Sequence, residues 1–314
     1  MGSLRYDRDQ RYQTIREIVR RLEIPVDSRV LDIGGGTGDL PRVLGFESFW
    51  TVDVFGGGPN HVRASMDSLP FPARSFDLVL QSDALEHIPA RGRGAALEAM
   101  ARAAGKWLIW IGPVHSELTA RVEEDLCETH RRLFAGREMD WLAEHRYQTL
   151  PDPEQVVGTL SAEFEDWAWW PSCGLLRWWS AKRLELQLDS GVYRPQFEAA
   201  VNRWYAESGW KPDYRVPEGV PSYRWVFVGV REGKLHPEID SPPVGQEDLE
   251  EWRSLIPVIE ALVEPSGLGP DGQATEEATA RSLERMAGLL EVLSTGPMPV
   301  PNFLLKWFGG GRGG

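Results

Sequence analysis

Two cysteines, Cys127 and Cys173, are all that the 314 residues contain. They are too few for a disulfide framework or a cysteine metal cluster, so the sequence predicts a reduced protein with no metal site. Long apolar runs are missing as well. No window reaches the ~20 residues that a membrane span requires. Met1 to Glu23 alternates charged and apolar residues where a secretory leader would carry an apolar stretch. Basic residues are scarce: 34 Lys and Arg stand against 47 Asp and Glu, a net charge of −13. The averaged field repels phosphate backbones and anionic lipid, which argues against nucleic acid as a partner. With 42% hydrophobic and 26% charged residues, the expectation is an acidic cytoplasmic protein with a sizeable core.

What is present is strand alternating with helix. Ile15, Ile18, Val19 and Leu22 recur at helical spacing over 10–24, and Pro25 closes that helix. Arg29 to Ile33 is a short apolar run, as in a strand buried on both faces. A glycine cluster follows, and Leu40 to Leu44 opens a helix. Ser48 to Val54, Phe76 to Gln81 and Lys106 to Ile111 read as strands, the last stopped by Gly112-Pro113, and Gly94 to Ala104 as a helix. Gly56-Gly57-Gly58-Pro59 leave no room for a crossover helix, so a turn and a minimal strand at His61 to Ala64 are expected. Residues 114–162 read as helical and polar. Phe164 to Trp170 follows as a strand, Leu175 to Leu188 as a helix and Tyr223 to Val230 as a β-branched, aromatic strand. Such alternation predicts a mainly parallel sheet covered by helices. After Arg231 come a Pro- and Glu-rich linker, helical stretches near 247–263 and 274–294, and a glycine-rich end.

The chemistry is concentrated in Asp32-Ile33-Gly34-Gly35-Gly36-Thr37-Gly38-Asp39. Glycines directly after a buried strand let the chain turn sharply and bring backbone N–H groups against a ligand. Asp53 closes the next strand about twenty residues on, where a ribose hydroxyl pair meets a carboxylate in nucleotide-binding α/β folds. A dinucleotide fingerprint wants glycines at first, third and sixth positions. Counting from Gly34 the sixth is Asp39, and from Gly36 it is Pro41. A carboxylate at this junction sits badly beside a pyrophosphate but suits a cofactor carrying sulfonium and ammonium groups.

On these residues the chain resembles the class I S-adenosylmethionine-dependent methyltransferases, in their small-molecule branch. Asp32 to Gly38 matches the family's first motif. Met66-Asp67-Ser68-Leu69-Pro70-Phe71 with Ser75-Phe76-Asp77-Leu78-Val79 matches the next, and Ala84-Leu85-Glu86-His87-Ile88 the segment after the fourth strand. The resemblance covers roughly 10–115, with Tyr223 to Val230 as the final antiparallel strand. It implies a Rossmann-like α/β fold: a seven-stranded sheet, mostly parallel with one antiparallel strand, carrying helical insertions and a C-terminal helical extension. Residues 1–231 would be the catalytic domain, with lid insertions at 114–162 and 174–220, and 232–314 the linker and extension.

The resemblance also implies roles. Gly34, Gly36 and Gly38 would lie against the amino-acid portion of S-adenosylmethionine, with Asp32 near its ammonium group and Asp53 on the ribose. Asp67 would accept from the adenine amino group beside the Met66 backbone, and Gln81 and Ser82 would line the floor. The acceptor would be a small molecule, with a hydroxyl of a sugar or secondary metabolite favoured. The candidate bases are His87 and His115, on the rim after the fourth and fifth strands. A structural role is the competing reading for both, and a non-catalytic cofactor-binding protein is the alternative it leaves open. His130 and His145 read as solvated helix positions, and Glu86 as a helix cap first and an acid–base partner second. Trp167, Trp169, Trp170, Trp178 and Trp179 read first as core and second as an aromatic acceptor pocket. Phe303 to Phe308 is an apolar patch suited to docking on the body or a second subunit. A membrane-surface role with a lipid-linked acceptor is disfavoured there by its single lysine.

Overall fold

The computed structural model of the chain describes residues 6–36, 40–191, 214–216, 220–235 and 239. Its elements in order are α1 (Tyr6–Arg21), β1 (Arg29–Ile33), α2 (Leu40–Leu44), β2 (Ser48–Asp53), β3 (His61–Arg63), β4 (Phe76–Ser82), α3 (Ala90–Ala103), β5 (Ala104–Pro113), α4 (Glu117–Leu133), α5 (Asp140–Gln148), α6 (Pro153–Ser161), β6 (Asp166–Gly174), α7 (Leu175–Ser190) and β7 (Ser222–Val230). The strands form one seven-stranded sheet in the order β3-β2-β1-β4-β5-β7-β6. β7 runs antiparallel to both β5 and β6, and the other pairs are parallel. This is the expected mainly parallel sheet with one reversed strand.

Alternation along each strand divides the core in two. Leu31, Ile33, Val79 and Leu108 face α3 and α6, where Leu97, Met100, Val156 and Leu160 meet them. Val30, Leu78, Leu80 and Ile109 face α1, where Ile15 and Ile18 pack. A third cluster joins Val122 and Leu126 of α4, Leu142 of α5, and Trp178 and Trp179 of α7 to Tyr223. α6 thus belongs to the core on that side of the sheet.

The β2–β3 connection is as short as its glycines demand. β3 starts opposite Thr51, so the chain returns only from the level of Asp53 to that of Thr51 before pairing again. Two strand ends differ from expectation. β5 runs through Gly112 to Pro113 because β7 pairs with it that far. β6 reaches Gly174 across Pro171 because it is the sheet's edge strand, where a missing N–H costs no ladder bond. Ile239, past the expected boundary at 231, is buried in the α1-side core cluster, and Leu235 packs against that cluster. The helical stretches 247–263 and 274–294, the Phe303 to Phe308 patch and most of 174–220 beyond α7 lie outside the described residues. Among the described residues, no helix is long and apolar enough to cross a membrane.

Candidate active site

The strand order reverses between β1 and β4, and the crevice beyond their carboxyl ends is where open α/β sheets bind ligands. β1 delivers Asp32 there and turns at once. Gly34 has φ +77° and donates its N–H to the Val52 carbonyl at 2.8 Å, and a Cβ on it would meet the Ala84 Cβ at 2.3 Å. A Cβ on Gly35 would strike the Asp32 carboxylate at 2.2 Å. The glycines therefore make a cradle lined by backbone and by one buried carboxylate. Thr37, Gly38 and Asp39 lie outside the described residues.

Asp53 is tied into the same turn. Its Oδ2 accepts from the Gly36 N–H and its Oδ1 from the Phe55 N–H, each at 3.1 Å. Each oxygen keeps a lone pair for a further donor. Asp32 is 3% exposed. Burial pushes its carboxyl up to about 7, with the Arg11 charge opposing and the Asp53 charge adding. Such a group is short of a cation.

At the end of β4, both amide atoms of Gln81 and the Ser82 hydroxyl are buried without a hydrogen-bond partner among the described residues. Gln81 pairs in register with Ile33 of β1, so these unspent donors and acceptors stand beside the glycine turn. Met66 is buried in a 3-10 turn, Met66–Ser68, and the Asp67 side chain is exposed beside Gly92 of α3. Cradle, carboxylates and unpartnered amide suit the S-adenosylmethionine that the resemblance implies.

A buried ionic group next to this crevice escaped the sequence reading. Asp83 accepts from Arg224 Nε at 2.8 Å and from its Nη2 at 2.5 Å, and Arg224 also reaches Asp7 of α1 at 2.6 Å. Lys182 of α7 lies 3.0 Å from Asp7, and Arg11 3.4 Å from Asp83. Burial works against the Asp7 charge, but Arg224, Lys182 and Arg11 outweigh it and hold the carboxyl well below the usual range. α1, α7, β7 and the loop after β4 are thereby clamped together.

The rim beyond Asp83 carries the histidines. His87 Nδ1 lies 2.6 Å from Glu144 of α5, and the side chain is about one-third exposed. His115 is exposed at the start of α4. His145 departs from expectation: it is 4% exposed, its Nδ1 2.8 Å from Glu123 of α4, and Glu123 accepts from the Tyr223 hydroxyl at 2.9 Å. His130 is partly buried, stacked on Phe134 and bonded to the Arg137 carbonyl. Glu86 caps nothing. It is buried, and burial first, then the Asp83 charge, push its carboxyl well above the usual range. Trp169, Trp170, Trp178 and Trp179 are buried core, with Trp169 stacked between Trp110 and Trp225, and Trp167 is partly buried on Phe227.

Among solved structures, the chain is similar to a SAM-dependent methyltransferase from Thermotoga maritima (14% identity, TM-score 0.40, covering 71% of this chain and 91% of that one). It is also similar to the YcgJ protein of Bacillus subtilis (15%, 0.41, 71% and 100%). A third is the magnesium protoporphyrin IX methyltransferase of Synechocystis with bound S-adenosylhomocysteine (14%, 0.42, 72% and 86%). Curated proteins give no match by sequence. Residues 6–190, well over half of the chain, match a family model described as a methyltransferase domain. That match, on this sheet and this crevice, makes the chain a member of the methyltransferase domain family: a class I enzyme that uses S-adenosylmethionine.

Proposed function

We propose that the enzyme methylates a small molecule at a hydroxyl oxygen, a sugar or other secondary metabolite, with His87 as the base. The observation that carries this reading is the His87–Glu144 pair at 2.6 Å, set on the rim just past the unpartnered Gln81 and Ser82. Gly34 and Gly36 lie along the amino-acid part of the cofactor, with Asp32 against its ammonium group. Asp53 takes the ribose hydroxyls, and Met66 and Asp67 take the adenine. Bound S-adenosylmethionine supplies a methyl group on an activated sulfonium, so the chain's own work is alignment, desolvation and removal of one proton. Glu144 holds the His87 Nδ1–H and leaves Nε2 to accept the acceptor's hydroxyl proton as its oxygen takes the methyl. α4 and α5 form the cover over the acceptor. His115, exposed on the neighbouring rim, stands second to His87 as a base because no carboxylate among the described residues orients it.

His87→Ala is expected to lower turnover about a hundredfold, with S-adenosylhomocysteine affinity kept and the ionisation limb of the pH–rate profile lost. Full activity in a labelled-methyl assay would return His87 to a structural role. Asp32 supplies a second check. Burial pushes its folded carboxyl up to about 7 from an ordinary 3.8, so the ligand-free fold binds that proton more tightly than the unfolded chain does. The resulting stabilisation is full below the lower value and gone above the upper one. A cofactor ammonium must displace the proton, so affinity should rise about tenfold between roughly pH 6 and 8 and then level off. Titrations with Asp32→Asn should show no such slope.

A further inference from the structure

We infer that Glu86, His87 and His145 form a binding site for one divalent transition-metal ion of the zinc class, on the acceptor side of the crevice. One ligand atom from each of the three residues lies within 4.8 Å of those from the other two. The juxtaposition would be unremarkable on a wet surface, but Glu86 and His145 are 2% and 4% exposed. Glu86 Oε2 and His145 Nε2 are both buried with no hydrogen-bond partner among the described residues. Two unspent buried ligand atoms on residues this close together cost stability unless something satisfies them.

The surroundings also suit a metal ion. Each imidazole is held through Nδ1 by its own carboxylate, His87 by Glu144 at 2.6 Å and His145 by Glu123 at 2.8 Å. Glu123 is fixed in turn by the Tyr223 hydroxyl at 2.9 Å. A carboxylate on one ring nitrogen sets the tautomer that leaves the other as a ligand. Trp141 packs edge-on against the His145 ring at 5.2 Å, and the two imidazole rings are 5.4 Å apart. Ligands at tetrahedral zinc distances stand about 3.4 Å from one another. The three must therefore draw in slightly, and His87, about one-third exposed, has room to move. Two imidazoles and one carboxylate leave a fourth position open, the arrangement of a catalytic rather than a structural zinc.

The inference rests on the reading of this rim as the acceptor side and deepens it. An acceptor hydroxyl in the fourth position loses its proton to water on binding the ion, and its oxygen then attacks the methyl carbon as the carbon–sulfur bond breaks. The ion takes over the task that Nε2 of His87 performs in its absence. This departs from the expectation of no metal, which rested on cysteines. Glu86 and His87 follow β4 while His145 sits on α5, and no sequence spacing joins them.

The full chain, stripped with chelator and dialysed, should take up one equivalent of Zn²⁺ by calorimetry, and Co²⁺ should give the visible spectrum of a four-coordinate ion. His145→Ala and Glu86→Gln should each weaken Zn²⁺ binding at least about a hundredfold, and Glu123→Gln about tenfold. His130→Ala should leave binding unchanged. His87→Ala replaces a part-exposed side chain and tests the site where a buried substitution fails to fold, and retained S-adenosylhomocysteine binding verifies each fold. No stoichiometric uptake, or uptake equal in His87→Ala and wild type, overturns the inference. Failure to bind metal with a His87-dependent turnover would sink the ion and spare the base. Zn²⁺ uptake without methylation of any hydroxyl acceptor would spare the site and sink the acceptor reading.

Discussion

Replacing Arg224 with methionine should cost the protein about 3–5 kcal/mol of stability, because it strands two largely enclosed carboxylates that now share one fully buried guanidinium. Arg224 is 1% exposed and bonds both Asp83 and Asp7. Arg11 and Lys182 remain nearby, but Arg11 stands farther from Asp83 and Lys182 also serves Glu185 at 3.0 Å. In a chain of this size the loss corresponds to a fall in melting temperature of about 10 °C. The sign with pH follows from Asp7, whose carboxyl is held below its usual range in the intact group. Its stabilisation is present at neutral pH and is lost as the pH falls through the lowered value. The deficit of Arg224→Met should therefore be largest near neutral pH and shrink in acid, where the stranded carboxyls take up protons. Urea unfolding at both pH values measures this. A deficit under about 1 kcal/mol, the scale of a surface pair, would mean the clamp is not a unit.

Asp53→Ala should weaken cofactor binding about a thousandfold. Two charge-assisted bonds to ribose hydroxyls are worth roughly 4 kcal/mol together. The substitution also frees the Gly36 and Phe55 N–H groups that the carboxylate holds. Calorimetry with S-adenosylhomocysteine reads the change directly, and unaltered affinity would contradict the ribose assignment.

The elements that read well in the sequence are those whose burial is set locally. Arg29 to Ile33 and Phe76 to Gln81 are apolar on both faces because the sheet is covered on both sides, and Gly34 to Gly36 announce the turn they make. The misread strand ends, at Pro113 and Pro171, depend on pairing with β7 far along the chain. His145 looked solvated because α5 buries little besides Leu142. Its burial comes from Glu123 on α4 and Tyr223 on β7. The Asp7–Arg224–Asp83 clamp joins residues separated by as many as 217 positions, a distance at which no periodicity carries information. The glycine turn could be found from its own residues, whereas the rim histidines gain meaning only from the partners that folding brings to them.

One titration bears most directly on the whole account: purified protein against S-adenosylhomocysteine in one cell and NADH in another. Carboxylates at 32 and 53 around a phosphate-free cradle predict saturable one-to-one binding of the first and none of the second. Uptake of NADH with no response to S-adenosylhomocysteine would contradict it.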